Sequence, residues 1–417
     1  MPVFLCSMLK KQTQRKLALY FSTMIFLNGF LVWRSEHGIT IGLSDFSCFY
    51  TAAEILHEGR GHQLYNLDLQ EAVQRSATPA ALVERGAVLP YNHPPFEAPL
   101  FLPLIACPYS VAYSIWLVVN VGLLTAVIMI LRKNLRFLGQ LPLYLWIAAC
   151  LAFTPITFAL IQGQDSIVLL FCFCIAFIAL RRKIEFSAGM WVALGLFKFQ
   201  LSLPLIAPSL LLKRWRVAGG FCVVALLLAL ISLRTVGVAS SLHYPEFVWE
   251  LHHNPKFSWL APIGSPNLHG LLSVLSFPNH PRIGTACLLI VSGLLLAAAT
   301  FAWRTMRDGD PRHLDLAFAA TLVISVLLSY HIMVHDLSIL FLALLVALEN
   351  AIAGRSAASW STQSISLCSL LLWSPLILVL FKFHHLEALA IIFIVLLGSL
   401  LFENRRIPSP VPAKNHN

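Results

Sequence analysis

The chain has 417 residues, of which 58% are hydrophobic and 12% charged, with a mean hydropathy of +0.77. Soluble domains carry about 25% charged residues, so this composition excludes a soluble globular protein and calls for many membrane spans. The net charge of +10 would suit nucleic acid, but the basic residues cluster at the ends of apolar runs, as RKNLR (132–136), RRK (181–183), KRWR (213–216), RTMRDGDPR (304–312) and ENRR (403–406). That is the positive-inside pattern of a multi-pass membrane protein, and no nucleic-acid partner is expected.

At the start, KKQTQRK leads into LALYFSTMIFLNGFLVW with no small-x-small cleavage site before RSEHG. This reads as a retained anchor helix at 16–34 behind a cytoplasmic tail at 1–15. A long loop, 35–98, follows. Within it SDFSCFYTAAEILHEGR (44–60) repeats Phe46, Phe49, Tyr50, Ala53, Leu56 and His57 at helical spacing, which predicts an amphipathic helix lying in the headgroup plane. Asp45 opens it. Its carboxylate is either an N-cap on the first backbone N–H groups or a general base held at the membrane surface, and the two roles are compatible. LYNLDLQEAVQ predicts a second short helix, and Pro94-Pro95 predicts an extended turn that brings Tyr91, His93 and Glu97 near the membrane edge.

Further spans are predicted at 109–131, 141–161 and 166–180, with the turn GQDS (163–166) between the last two. Residues 187–212 read as one span or as a broken hairpin turning near Lys198, with Pro204 and Pro208 disrupting the second arm. The hairpin places most Lys and Arg on one side and most Asp, Glu and His on the other, whereas a single span divides the basic residues evenly and leaves Lys198 in the membrane. The hairpin is therefore the expectation. After a span at 217–238 come an outer loop (239–282), spans at 283–303, 314–332, 336–352, 364–382 and 386–402, and a cytoplasmic tail at 403–417. The whole forms one membrane domain, all-α and polytopic. It has about ten spans, the hairpin, and interfacial helices in the outer loops. Nine cysteines include no C-x-x-C pair, so neither a zinc site nor a disulfide framework is indicated.

The polar segments that the basic clusters leave unexplained share the outer side. Lys198 at the hairpin apex either snorkels to the interface or serves a site. SYHIMVHD (329–336) holds His331, His335 and Asp336. Their i,i+4 histidines suit a hydrogen-bonded helix start, a metal, or a sugar or phosphate. Gln164 and Asp165 suit a structural turn. Arg60 and His93 could meet a phosphate or lipid headgroups, and Asn267 and His269 could bond a sugar or an acceptor.

The order of these motifs resembles a known family. A D-F-x-x-F-Y-x-A-A helix, then L-Y, Y-x-x-P-P-F and P-Y-x-x-A-Y-x-x-W-x-x-x-N, followed by GQDS, GLFKFQLSLPL, SPNLHGLLS and SYHIMVHDLSIL, is similar to glycosyltransferase family 87 of the GT-C superfamily, over roughly residues 16–350. Asp165 and Tyr330 depart from the pattern. The resemblance implies a GT-C-like fold in an inner or plasma membrane with a cytoplasmic N-terminus. It also implies transfer of a sugar, mannose or another hexose, from a polyprenyl-phosphate donor to a lipid or glycan acceptor on the outer face, with inversion. By resemblance, Asp45 is the base; Lys198, His331, His335, Arg60 and Gln164 meet the donor phosphate or sugar; and Asp336, Asn267, His93 and Glu97 bond the sugar or acceptor. Membrane lipids are the remaining partners. No Gly-rich phosphate loop or D-x-D element is present, which disfavours a nucleotide-sugar donor, and no cofactor or metal is expected. A transporter or flippase for a polyprenyl lipid or small solute is the competing reading. It would place ionisable groups at mid-bilayer on broken helices, usually with internal repeats.

Overall fold

A computed structural model describes residues 11–260, 264–275, 281–304, 310–353 and 359–407. Parts of both expected tails, 1–10 and 408–417, lie outside the described residues. Among the described residues every regular element is helical. Eight helical runs are long and apolar enough to cross a membrane, and two bent pairs bring the possible number to ten, as the hydropathy pattern predicts. The protein is a multi-pass, all-α membrane protein.

The expected span 141–161 is one of the bent pairs, Leu143–Leu151 and Thr154–Gln162, which meet at 65°. Pro155 lies in the first turn of the second helix and has no N–H to continue the ladder. Asn28 repairs the break from a neighbouring helix, donating to the Leu151 carbonyl at 3.0 Å and accepting from the Thr154 hydroxyl at 3.2 Å. The expected span 364–382 is the other pair, Trp360–Leu372 and Leu376–Lys382, bent by 54°.

The helices join two chemically distinct ends. At the basic end Arg181 holds Asp315 through two hydrogen bonds of 2.7 and 2.5 Å and the Asn134 carbonyl at 2.6 Å. Nearby, buried Glu349 accepts the backbone N–H groups of Arg136, Phe137 and Leu138 at 2.7 to 3.1 Å. The opposite end gathers Asp45, His93, Gln164, Lys198 and the 331–336 segment around one pocket.

The run Glu185–Leu211 is long enough for a single crossing at 27 residues, yet its two ends meet. Glu185 pairs with Arg214 at 2.5 Å, and Gly189 and Gly220 bring the flanking backbones into direct contact. The chain therefore climbs through Glu185–Leu194, turns in the 3-10 segment Gly195–Lys198, and returns through Phe199–Leu211. At about 1.5 Å per residue these arms are close in length to the neighbouring 16-residue helix Ser166–Arg181, so Lys198 and Asp165 arrive at the same height. One expectation is corrected: Pro204 and Pro208 stay inside the returning helix and do not disrupt it. Packing against neighbouring helices lets such freed carbonyls find other partners.

Two outer-loop expectations also change. The helix Phe46–His57 is not a one-sided interfacial helix, because Phe46, Ser47, Cys48, Phe49, Tyr50, Thr51, Ala52, Ala53 and Ile55 are all buried. Its Ser, Thr and Cys are small enough to pack as readily as alanine, so the side read as polar is covered as well. The region 239–253 is also helical rather than loop. It continues Trp215–His253 past a kink at Gly237, whose φ of 81° is the left-handed conformation that glycine adopts without strain. Phe247 and Leu251 of this extension join the aromatic core around Phe49, Tyr65, Tyr91 and Phe101.

Hairpin docking generates a direct expectation. A side chain at Gly189 would land on the Val217 carbonyl and the Phe221 nitrogen, which are backbone atoms that cannot rotate away. Gly189→Val should therefore lower the melting temperature in detergent by several degrees, whereas Gly293→Val, at a position with open space around it, should leave it unchanged. Equal melting of the two variants would remove the close approach as a determinant of the fold.

Candidate active site

Asp45 reaches its position through the aromatic core beneath it. Phe46 touches Phe101, Tyr109 and Tyr113 with ring centroids 5.7 to 6.2 Å apart, and Phe49 stacks on Phe101 at 4.6 Å. The preceding strand of chain is held by Arg85, which donates to the carbonyls of Gly42 and Leu43 at 3.3 and 3.2 Å, and by a 2.7 Å bond between Ser44 and Tyr109. The Asp45 N–H donates to the Gln162 side chain at 3.0 Å, and the Gln164 amide donates to the Asp45 carboxylate at 2.7 Å. The carboxylate makes no capping bond to the helix it opens. The N-cap alternative is thereby replaced by a grip from the GQDS turn.

That turn is shaped by Gly163, whose φ of 59° is left-handed and whose missing side chain leaves room for Phe46 and Tyr113. Trp116 fixes it by donating to the Gly163 carbonyl at 2.8 Å. Asp165 follows, 1% exposed. Its carboxylate lies 2.9 Å from the Lys198 ammonium and 3.4 Å from His93. Lys198 also ion-pairs with Asp336 at short range and donates to Gln164 and Ser166 at 3.2 and 3.1 Å. Ser166 in turn donates to Asp336 at 2.9 Å, and Asp336 accepts the Met333 N–H at 3.0 Å. The ammonium is thus enclosed by two carboxylates, an amide and a hydroxyl. The expectation of a free lysine that snorkels or directly binds phosphate does not fit this geometry.

The pocket has a volume of about 210 Å³, below the ~300–1,000 Å³ of sites for drug-sized ligands, so it suits one ring rather than an extended chain. Of the expected residues, Asp45, His93, Gln164, Lys198, His331, His335 and Asp336 line it. Glu97 stands behind the wall, bonded to His93 at 2.8 Å. Three expected residues are elsewhere, among them His269, whose ring nitrogen lies 3.4 Å from the Tyr330 carbonyl outside the pocket lining. Arg60 is partly exposed and paired with Glu58, because the chain turns away after the Phe46–His57 helix. Asn267 is fully buried, accepting the Gly270 N–H at 2.7 Å and donating to the Ser329 carbonyl at 2.5 Å, so it caps the short helix Leu268–Val274 and ties it to the 329 turn. His331 and His335 do not share an α-helical face, since helical backbone begins only at Val334, in a 3-10 turn.

Sequence reasoning treated Asp165 as a mere turn residue and passed over Arg85 and His252. Asp165 stands beside GQ with no periodicity to mark it. Arg85 ends a short helix in a charged stretch, and His252 is reached only through the unexpected helical extension. His252 lines the pocket with its ring 5.6 Å from that of His331. Burial, followed by repulsion from His252, holds the His331 imidazole down at about 4, so it is neutral at physiological pH. Both rings carry a buried nitrogen without a protein hydrogen-bond partner, His331 Nδ1 and His252 Nε2.

Among the described residues one group has donors spaced to hold a cation: His93, Glu97 and Asp165, whose ligand atoms lie within 4.8 Å of one another. Lys198 already places a positive charge on Asp165. Burial pushes the Glu97 carboxyl up to about 8, with His93 opposing and Asp165 adding to the rise. Burial also raises Asp165, but Lys198 and His93 outweigh it and hold that carboxyl below its ordinary value. The pair therefore has the character of one protonated acid beside one carboxylate.

A pH dependence follows. Folded Glu97 keeps a proton that the unfolded chain releases above its ordinary value of 4.5, so its linkage lowers stability as pH rises from there toward 8. His93 is raised by Glu97 and Asp165 against burial. Its contribution is full below the ordinary histidine value and is lost as pH climbs through the folded one. Both act in the same direction. The melting temperature should fall between pH 6 and 9, and Glu97→Gln should flatten the decline; an unchanged slope in that variant would refute proton retention by folded Glu97.

With this geometry established, comparison with known proteins gives two matches and one absence. The family model described as glycosyltransferase family 87 matches residues 91–330, more than half of the chain. Asp45 and its helix precede that stretch. A relative in Mycolicibacterium smegmatis, the polyprenol-phosphate-mannose-dependent alpha-(1-2)-phosphatidylinositol pentamannoside mannosyltransferase, is 24% identical over 231 residues, 54% of this chain and 53% of the relative. The match thus spans about half the length of that relative. No solved structure matches. The matched stretch runs from the Pro-Pro turn through the GQDS turn and the Lys198 hairpin to the edge of the histidine segment, and the chain belongs to glycosyltransferase family 87.

Proposed function

We propose that this membrane glycosyltransferase moves a sugar from a polyprenyl-phosphate donor to an acceptor hydroxyl on the outer face of the membrane, with inversion, and that Asp45 is the general base. The supporting observation is the contrast among the pocket carboxylates. Asp165 and Asp336 are buried against Lys198, so a proton arriving on either would have to disrupt an ion pair. The Asp45 side chain keeps 29% of its surface exposed and is held by the neutral amide of Gln164, with His335 3.9 Å away. It is oriented, open to the pocket and free of a close cation.

In the proposed step the acceptor oxygen bonds to the anomeric carbon as the bond from that carbon to the phosphate oxygen breaks. The bonding electrons leave with polyprenyl phosphate, and the hydroxyl proton passes to Asp45. His335 and His331 line the same pocket and offer N–H donors to the sugar or the departing phosphate. Lys198 acts as a positioning residue that fixes Gln164 and Asp336, and its field partly offsets the charge of the leaving group. The basic end then faces the cytoplasm, in accord with the positive-inside rule, and the pocket opens outward. The relative's name makes polyprenol-phosphate-mannose the first donor to test.

The test is to incubate purified protein with a panel of polyprenyl-phosphate sugars and host membrane lipids and to identify products by mass. A donor-dependent gain of one sugar on a lipid is expected. Asp45→Asn should lower turnover by about 10²- to 10⁴-fold, the usual contribution of a positioned base, without changing the melting temperature. Lys198→Met should lower both turnover and folded yield, because it leaves two buried carboxylates without their counter-charge. Normal turnover by Asp45→Asn would falsify the base assignment, and sugar-lipid movement in sealed vesicles with no transfer product would favour a transporter.

A further inference from the structure

A second cavity, of about 680 Å³, lies at the basic end, between the helices Tyr109–Asn134 and Ser166–Arg181 and the start of the hairpin. We propose that it binds an anionic glycerophospholipid, the phosphate on its rim and an acyl chain along its wall. The rim carries Arg132, Lys133 and Arg182, and the wall includes Met129, Ile175 and Ile178. Nearby acids are already engaged. Asp315 is held by Arg181, Glu185 by Arg214, and Glu349 by three backbone N–H groups. Among the described residues no carboxylate pairs with any of the three rim cations. Their polar contacts are long: Arg132 to the Leu141 carbonyl at 3.5 Å and Arg182 to the Asn134 side chain at 3.4 Å.

The rim is built in advance of any ligand. Glu349 fixes residues 136–138, Arg181 fixes the end of the Tyr109–Asn134 helix, and Gly139 sits directly against the Arg132 carbonyl. Three positive charges therefore line one cleft on a fixed backbone, with Arg132 partly buried and Lys133 and Arg182 exposed to an approaching headgroup. The wall argues for a lipid rather than a free phosphate. Met129, on the 26-residue helix Tyr109–Asn134, is 49% exposed, and such apolar surface on a helix that crosses a membrane faces acyl chains; Ile184, in the turn before the hairpin, extends it and is 52% exposed. Basic pockets between spans at the positively charged face are a recognised form of anionic headgroup recognition.

Native mass spectrometry of the full-length protein in mild detergent tests the proposal, with dioleoyl phosphatidylglycerol, dioleoyl phosphatidylcholine and glycerol phosphate as probes. Phosphatidylglycerol should be retained at about tenfold lower concentration than phosphatidylcholine, given the attraction each basic residue adds. Arg132→Gln/Lys133→Gln/Arg182→Gln should abolish the preference with an unchanged melting temperature. Ile175→Trp, which fills the wall and keeps the charges, should weaken retention too and serves if the triple variant folds poorly. Equal retention of both lipids by the native protein, a preference that survives both variants, or displacement of phosphatidylglycerol by equimolar glycerol phosphate would overturn it.

Discussion

The ion cluster around Lys198 is the constraint on which the rest of the functional end depends. One ammonium joins three segments far apart in sequence: the hairpin tip, the GQDS turn through Asp165 and Gln164, and the 334–339 turn through Asp336. Burying these charges costs several kcal/mol per ion, which mutual attraction offsets only with close contacts and satisfied hydrogen bonds. The observed network supplies both. Its value is geometric: three helix ends that hydrophobic packing alone could slide past one another are fixed at one height.

Around this cluster the site divides its carboxylates by environment. Asp165 and Asp336 share Lys198, and Glu97 sits beside His93 in a buried position that favours the protonated acid. Asp45 stands apart, its approach fixed by the aromatic core and its carboxylate aligned by Gln164. Glu97 and Asp165 are driven to opposite protonation behaviour because their neighbours differ, and Asp45 is set apart by its exposure and its orientation.

The two ends of the bundle use charge in opposite ways. At the basic end each buried acid is matched to a guanidinium or to backbone N–H groups, while several cations remain for the membrane surface. At the functional end Lys198, the one buried lysine among the described residues, is outnumbered by carboxylates, and imidazoles, amides and tyrosines supply the remaining polar surface. The helices between, from the 16-residue Ser166–Arg181 to the 26-residue Tyr109–Asn134, hold these two charge systems at opposite ends of the bundle.

Sequence by itself determined the membrane class, the approximate spans, the hairpin and the segregation of basic from acidic segments. Each follows from the local cost of placing polar groups in hydrocarbon, and that cost is legible residue by residue. It also picked out the charged and histidine lining of the pocket apart from His252, since Asp45, Lys198 and the other histidines interrupt apolar runs and so stand out. Tertiary structure alone decided what those residues touch. Nothing local distinguishes a lysine that snorkels from one enclosed by Asp165 and Asp336, a carboxylate that caps its helix from one gripped by Gln164, or an asparagine for sugar from one that caps Leu268–Val274. Arg60 looked as available as His93 and lies outside the pocket, whereas His252 arrives only because Gly237 turns a long helix back over the site. Pairings between distant segments depend on helix direction, kink angle and close backbone approach, and short stretches of sequence do not encode these separately.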